Sequence, residues 1–277
     1  MIKIGQYNAL KVIKKVPFGI YLDGGKWGEI LLPIKVVPQN IEVNDTLDVF
    51  IYFDSEDKII ATTKRPYAKM GSFAYLKVVD VNRIGAFLDW GLDKDLLVPK
   101  SEQYRPMEKG KSYIVYVQQD NQDRIIASSK LDYYLDKTQP QFKQGDEVNL
   151  LIAETTALGN KVIINDTHWG LIYLSDIFQS LKYGSMTKGY IKTIRDDGKI
   201  DVVLRKLGQD NIRELANRIM KKMHALGGFL PLHDKSPAED IHQAFGESKK
   251  NFKSAIGYLY KRKEITIESN GIRINSN

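Results

Sequence analysis

Phosphate chemistry would begin at EKGKS, Glu108 to Ser112, whose last three residues match the end of a phosphate-binding loop. Such a loop needs an earlier glycine where this chain has Arg105, and it opens a helix, whereas Lys111 enters a strand-like run. His224, His233 and His242 lack the i, i+4 spacing of a helical metal pair and a nearby third ligand, so no metal and no cofactor is expected. Asp93 with Asp95, and Asp196 with Asp197, lie in turn-like segments where aspartate bonds its own backbone. No serine, histidine and acid constellation is visible. An enzyme is not the expectation.

What remains is stacking and charge. Phe18 and Tyr21 lie three residues apart and Phe87 sits in a similar run further on, while Lys14, Lys15 and Lys26 read as a solvated face. A ring on an open face stacks under an unpaired base for about 1–3 kcal/mol whatever the base. Neighbouring lysine and arginine hold phosphates and make binding fall with salt. The competing reading is that these rings fill or close a core, and Trp27, Trp90 and Trp169, beside turns, read more as covers of a barrel end.

The elements that must position these rings come from a repeat. DKIIATTKRP, Asp57 to Pro66, returns as DRIIASSKLD, Asp123 to Asp132, and the same register superimposes Gly5 on Gly71, Gly19 on Gly85 and Pro33 on Pro99. A looser third copy places Gly145 and Gly159 on the first two glycines and ends in DDGKIDVVLRK, Asp196 to Lys206. Each copy holds five short runs rich in β-branched and aromatic residues, broken by Gly, Asp, Asn or Pro. In the first they are YNALKVIKK, FGIYLD, EILLP, TLDVFIYF and DKIIATTK. Five strands in about 70 residues is the scale of an OB-fold barrel, although SH3-like barrels have a similar count. Four domains follow, at 1–67, 68–136, 137–208 and 209–277.

The 277 residues include no cysteine, which excludes disulfides, cysteine zinc sites and cysteine nucleophiles. No apolar run approaches a membrane span, and MIKIGQYNAL enters the first repeat directly, so a cytoplasmic protein is expected. The net charge of +7 is concentrated in the last quarter, while the second repeat is neutral. That balance suits a polyanion partner without requiring one.

From Gln209 the period becomes helical. Ile212, Leu215, Ile219, Met223 and Leu226 share one face after a capping Asp210. A second helix begins with Ser236 as N-cap and Pro237 at its first position. A third carries the stripe Phe252, Ala255, Ile256 and Leu259, and a hairpin with a type I′ turn at Asn270-Gly271 closes the chain. Three helices and a hairpin make a winged helix. If it binds nucleic acid, Lys250, Lys253, Lys261, Arg262 and Arg273 are the expected contacts.

GLIYLSDI, Gly170 to Ile177, resembles the G-L-V-H-I-S-E-L motif of the RNA-binding domain of ribosomal protein S-one, and FGIYL and IGAFL resemble its aromatic strand. Three such domains followed by a winged helix resemble the conserved virulence factor B (YitL-like) family, over essentially the whole chain. The resemblance implies RNA contacts from two aromatics in the second strand, a histidine in the third, and an acid with a basic residue four positions on before the last. On this pattern Phe18, Tyr21, Asp54 and Lys58 serve the first unit, with Leu31 in place of the histidine. Phe87, Asp120 and Arg124 serve the second, where Ile84 takes the other aromatic place. The third offers Tyr173 for the histidine, and Asp196 with Lys199 at a spacing shortened by one.

The fold class expected is therefore mainly β, three tandem five-stranded OB (S-one-like) barrels followed by an α+β winged helix. Single-stranded RNA, bound with low sequence specificity by several linked weak modules, is the expected partner. The resemblance adds post-transcriptional regulation that affects virulence factors. The alternatives are a protein-interaction scaffold and a DNA-binding regulator led by the winged helix.

Overall fold

The computed structural model describes residues 2–177, 180–205 and 209–275. The chain divides into two compact units, Met1–Asp136 and Lys137–Asn277. No helix among the described residues is long and apolar enough to cross a membrane.

The first unit holds two closed barrels. Strands β1 (Tyr7–Val16), β2 (Gly19–Asp23), β3 (Glu29–Pro33), β4 (Thr46–Phe53) and β5 (Ile59–Thr62) close in the order β1-β2-β3-β5-β4. Strands β6 (Phe73–Val81), β7 (Gly85–Asp89), β8 (Leu96–Pro99), β9 (Ser112–Gln119) and β10 (Ile125–Ser128) repeat that cycle. The second unit begins with β11 (Glu147–Thr155), β12 (Gly159–Ile164), β13 (His168–Tyr173), β14 (Met186–Ile194) and β15 (Ile200–Val203), closed in the same way. In each barrel the third and fifth strands run parallel, at Leu31 against Ile60, Leu97 against Ile126, and Leu171 against Asp201. Five strands with this closure form the OB-fold.

Alternation sets what faces inward. In barrel one Ile20 and Leu22 of β2 and Ile30 and Leu32 of β3 enter the core with Val12, Val49 and Ile51, so Tyr21 and Leu31 point to the other side of the sheet. The repeated glycine is steric in origin: a Cβ at Gly19, Gly85 or Gly159 would lie 2.3, 2.2 or 1.9 Å from the carbonyl oxygen of Leu32, Val98 or Ile172. The repeated decapeptide holds the turn and last strand of barrels one and two, and its Asp57 and Asp123 both take positive φ, at 58° and 61°.

Barrels one and two share a core. Phe50 and Tyr52 of β4 pack with Trp90, Leu92 and Met107 rather than in their own barrel. Trp90 meets both rings edge-on, with centroids 5.9 and 6.4 Å away, and its indole N–H donates to the Lys94 carbonyl at 2.6 Å. Trp90 therefore joins two barrels instead of covering the end of one. Burying a large apolar side chain in this way contributes about 1.5–3 kcal/mol. The connecting chain is tied down as well, since Tyr67 N–H donates to the Trp90 carbonyl at 2.8 Å and Met70 N–H to that of Gly5 at 2.9 Å.

The C-terminal elements are α1 (Gln209–Ala225), β16 (Phe229–Leu230), α2 (Ala238–Phe245), α3 (Lys249–Lys261), β17 (Ile265–Glu268) and β18 (Gly271–Ile274), with sheet order β16-β18-β17. Leu215, Ile219, Met223, Ile241, Phe245 and the α3 stripe Phe252, Ala255, Ile256 and Leu259 form the core of this winged helix. The expected capping role of Asp210 lies outside the described side chains. Four local expectations change. Strand β16, two residues long, is additional. Leu226 falls beyond α1 and is exposed. Pro237 rather than Ser236 occupies the cap of α2, because the Ser236 hydroxyl is used in accepting the His233 N–H at 2.9 Å. The hairpin turn is Ser269-Asn270 with neither residue at positive φ. Gly271 is already in β18, where a Cβ would lie 2.4 Å from the Leu230 carbonyl oxygen.

Within the second unit, Glu247 fastens barrel three to the winged helix. It is 1% exposed and pairs with Arg205, just after β15, and with Arg218 of α1 at 3.4 Å. The Asn251 amide donates to its second oxygen at 3.1 Å. A carboxylate this deep is tolerated because cations and a donor replace its water.

Candidate nucleic-acid interface

In barrel one the strand ladder lines up Lys14, Tyr21 and Leu31 across β1, β2 and β3. The Lys14 ammonium lies 4.6 Å from the Tyr21 ring centroid and pairs with Glu29 at 2.5 Å. Phe18, in the β1–β2 turn, is 55% exposed and meets Tyr21 edge-on at 6.3 Å. Neither ring belongs to the barrel core. Two aromatics and a cation thus share the outer surface.

The other barrels carry altered versions. Ile84 and Leu158, in the place of Phe18, are exposed as well. Phe87 takes the place of Tyr21, opposite Leu97. In barrel three that place is held by Lys161, opposite Leu171, whose ammonium stands 3.8 Å above the Trp169 ring. With Gly170 and Ile172 buried, Trp169, Leu171 and Tyr173 fall on the alternate face of β13. The signal for Trp169 was its even spacing from Tyr173, which its nearness to a turn obscured.

Two alignments need correction. Tyr173 pairs with Gly159 as Pro33 pairs with Gly19 and Pro99 with Gly85. The counterpart of Tyr173 in barrel one is therefore Pro33, and Leu31 corresponds to Leu171. In the last turn, Asp54 N–H donates to the Lys58 carbonyl and Asp120 N–H to that of Arg124, each at 2.9 Å, and in barrel three the same bond runs from Arg195 to Lys199. Gly198, at φ 77°, takes the place of Asp57 and Asp123. Arg195, not Asp196, stands where the first two barrels have their acid, and the spacing is not shortened.

The turn acids have local work. Asp54 accepts from the N–H groups of Glu56 and Lys58, and Asp120 from those of Gln122 and Arg124. Asp120 also pairs with the Arg124 guanidinium at 2.7 Å. Burial raises the Asp120 carboxyl, but these hydrogen bonds outweigh it and leave the group below the usual carboxylate range. Lys58 turns instead to Glu56, and Lys199 to Asp197, both at 2.7 Å. Arg195 hydrogen-bonds the Tyr173 hydroxyl, lies 5.7 Å from its ring and pairs with Asp201 at 2.5 Å. Its Asp201 partner holds that guanidinium more firmly charged. Lys192 approaches the same ring at 6.0 Å.

On the winged helix, Lys250, Lys253 and Lys261 are exposed on α3. Arg262 pairs with Glu264 at 2.5 Å and lies over Tyr258, while Arg273 pairs with Glu268 at 2.7 Å and lies over Phe229. The two arginines are thus braced by acids.

A model of the S1 domain matches residues 4–64 and 70–130, the first two barrels, and a model of the CvfB-like winged helix domain matches residues 217–274. The chain thus carries S1 domains and a CvfB-like winged helix domain. It is similar to YitL of Bacillus subtilis, 29% identical across 96% of this chain and 91% of that protein. Conserved virulence factor B of Staphylococcus epidermidis is 23% identical across 85% of this chain and 82% of its own. Among solved structures, a multidomain protein with nucleic acid binding domains from Streptococcus pneumoniae is 23% identical, covers 98% of both chains and has a TM-score of 0.41. The S1 and winged-helix families are nucleic-acid-binding domain types rather than enzymes.

Proposed function

We propose that this chain binds single-stranded RNA with low sequence specificity, through modules at 1–67, 68–136, 137–208 and 209–277, and acts in the cytoplasm in post-transcriptional control that includes virulence genes. The observation that carries the reading is the outward pair Phe18 and Tyr21 with Lys14 over the Tyr21 ring. Rings of that kind stack bases without choosing among them, and the family names of the relatives supply the link to virulence. In this reading Phe87, Tyr173 and the turn residues Asp54, Lys58, Asp120, Arg124 and Lys199 each serve the corresponding face of their own barrel. Asp54 and Asp120 shape their turns, and Arg124 reaches the strand. Several weak sites on one chain raise one another's effective concentration.

A second reading, duplex DNA binding led by the winged helix, draws on the exposed Lys250, Lys253 and Lys261 of α3. Titrating the intact chain with labelled oligo-U and with a random DNA duplex at two salt concentrations separates the two. The RNA reading expects preference for oligo-U and steep weakening with salt. Binding to neither would favour a protein-interaction scaffold.

A further inference from the structure

Barrel two differs from barrel one in what stands beside its aromatic. In barrel one Tyr21 is flanked by Phe18, whereas Phe87 has Ile84 in that place and instead lines a groove of about 390 Å³ walled by the neighbouring barrel. Tyr52 comes from barrel one, and Phe87, Trp90, Leu97, Asp95 and Arg124 from barrel two. The walls are fixed before any ligand arrives. Their shared core holds Tyr52 and Trp90, and Lys94 reaches across to pair with Asp57 at 2.7 Å and to donate to the Asp54 carbonyl at 2.6 Å. A groove of this volume with an apolar lining and a few polar groups suits a flat heterocycle.

We propose that this groove holds one unpaired guanine of a bound single strand, stacked on Phe87 and read by the Asp95 carboxylate. This rests on the RNA reading above. Asp95 immediately precedes β8, and no hydrogen bond or ion pair engages it among the described residues. A carboxylate accepts two parallel hydrogen bonds. Guanine offers adjacent N1–H and N2–H donors on one edge, whereas uracil offers one donor between two oxygens that a carboxylate repels. Adenine and cytosine set their amino group beside a ring acceptor. Edge readout of this kind is how proteins select unstacked bases. Burial and the nearby carboxylates of Asp89 and Asp80 raise the Asp95 carboxyl, so a ligand that donates to it relieves repulsion already present. The same negative charge turns a phosphate away from the Asp95 rim toward Arg124.

The test is calorimetric titration of the intact chain with guanosine 5′-monophosphate and with uridine 5′-monophosphate, and with a short oligo-U with and without one central guanine. Guanosine monophosphate, and the guanine-containing oligomer, are expected to bind at least about tenfold more tightly than their uridine counterparts. Asp95→Asn is expected to erase that difference with the melting temperature unchanged or slightly raised, since it removes a charge repelled by Asp89 and Asp80. Phe87→Leu is expected to weaken both nucleotides. Equal affinities, no nucleotide binding, or a preference that survives Asp95→Asn would overturn the proposal. If oligo-U fails to bind while guanosine monophosphate is preferred, the RNA reading falls and the strand as occupant falls with it. Oligo-U binding with no guanine preference removes the pocket alone.

Discussion

Phe18 is 55% exposed where a core ring would be buried, and its only ring contact is the edge-on approach to Tyr21 among the described residues. Phe18→Ala and Tyr21→Ala are therefore each expected to weaken oligo-U binding by about 1–3 kcal/mol. Phe18→Ala should cost stability within about 0.5 kcal/mol, as for other exposed positions. Anisotropy titration and urea unfolding measure the two quantities separately, and lost stability with unchanged affinity would return Phe18 to a covering role. Gly159 presents the opposite case. At φ 152° with a carbonyl oxygen 1.9 Å from its missing Cβ, Gly159→Ala should cost more than about 1 kcal/mol, read as a lower urea midpoint with unchanged slope. Asp120 gives a pH dependence. Its folded carboxyl is depressed, so the stability it contributes is present above the ordinary aspartate value of about 3.9 and is lost as pH falls through the lower folded value. Unfolding midpoints followed from neutral to acid pH should fall less for Asp120→Asn than for the parent.

At the level of elements, the strands, the repeat and the helical stripe of α3 were legible in the sequence because alternation, glycine placement and helical period are local signals. The counterpart of Tyr173 is legible only through the repeat, whose register sets Gly159 on Gly19 and so Tyr173 on Pro33. Leu31 and Pro33 lie two residues apart, and a slip of two leaves every inward and outward side chain on the same face, so alternation cannot register it. Only the pairing with Gly19 and Gly159 decides. The turn before the last strand is hidden for a related reason. Its acid is a weak marker, because a backbone bond and a positive-φ fourth residue define it, a place where Gly198 is visible. Strand β16 is too short to carry any period. Glu247 carries no local sequence signal because its partners Arg205 and Arg218 are distant in sequence. Glu247→Gln leaves two guanidinium groups without their carboxylate, and with both arginines partly exposed the cost is expected at about 1–3 kcal/mol. Urea unfolding of the intact chain checks it, and an unchanged midpoint would remove Glu247 as the fastening of barrel three to the winged helix.

On the scale of the whole molecule, the incomplete aromatic sets of barrels two and three matter less if affinity is distributed. Met1–Asp136 and Lys137–Asn277 are each compact, so the two pieces can be compared with the parent. Each is expected to bind oligo-U more weakly than the intact chain, by a margin that reflects effective concentration rather than new contacts. The measurement that bears most directly on the central claim is the affinity of the intact chain for oligo-U and for a random DNA duplex at low and at physiological salt. The account predicts binding to oligo-U in preference to the duplex, falling steeply as salt rises. Binding to neither, or tighter binding to the duplex at both salt concentrations, would contradict it.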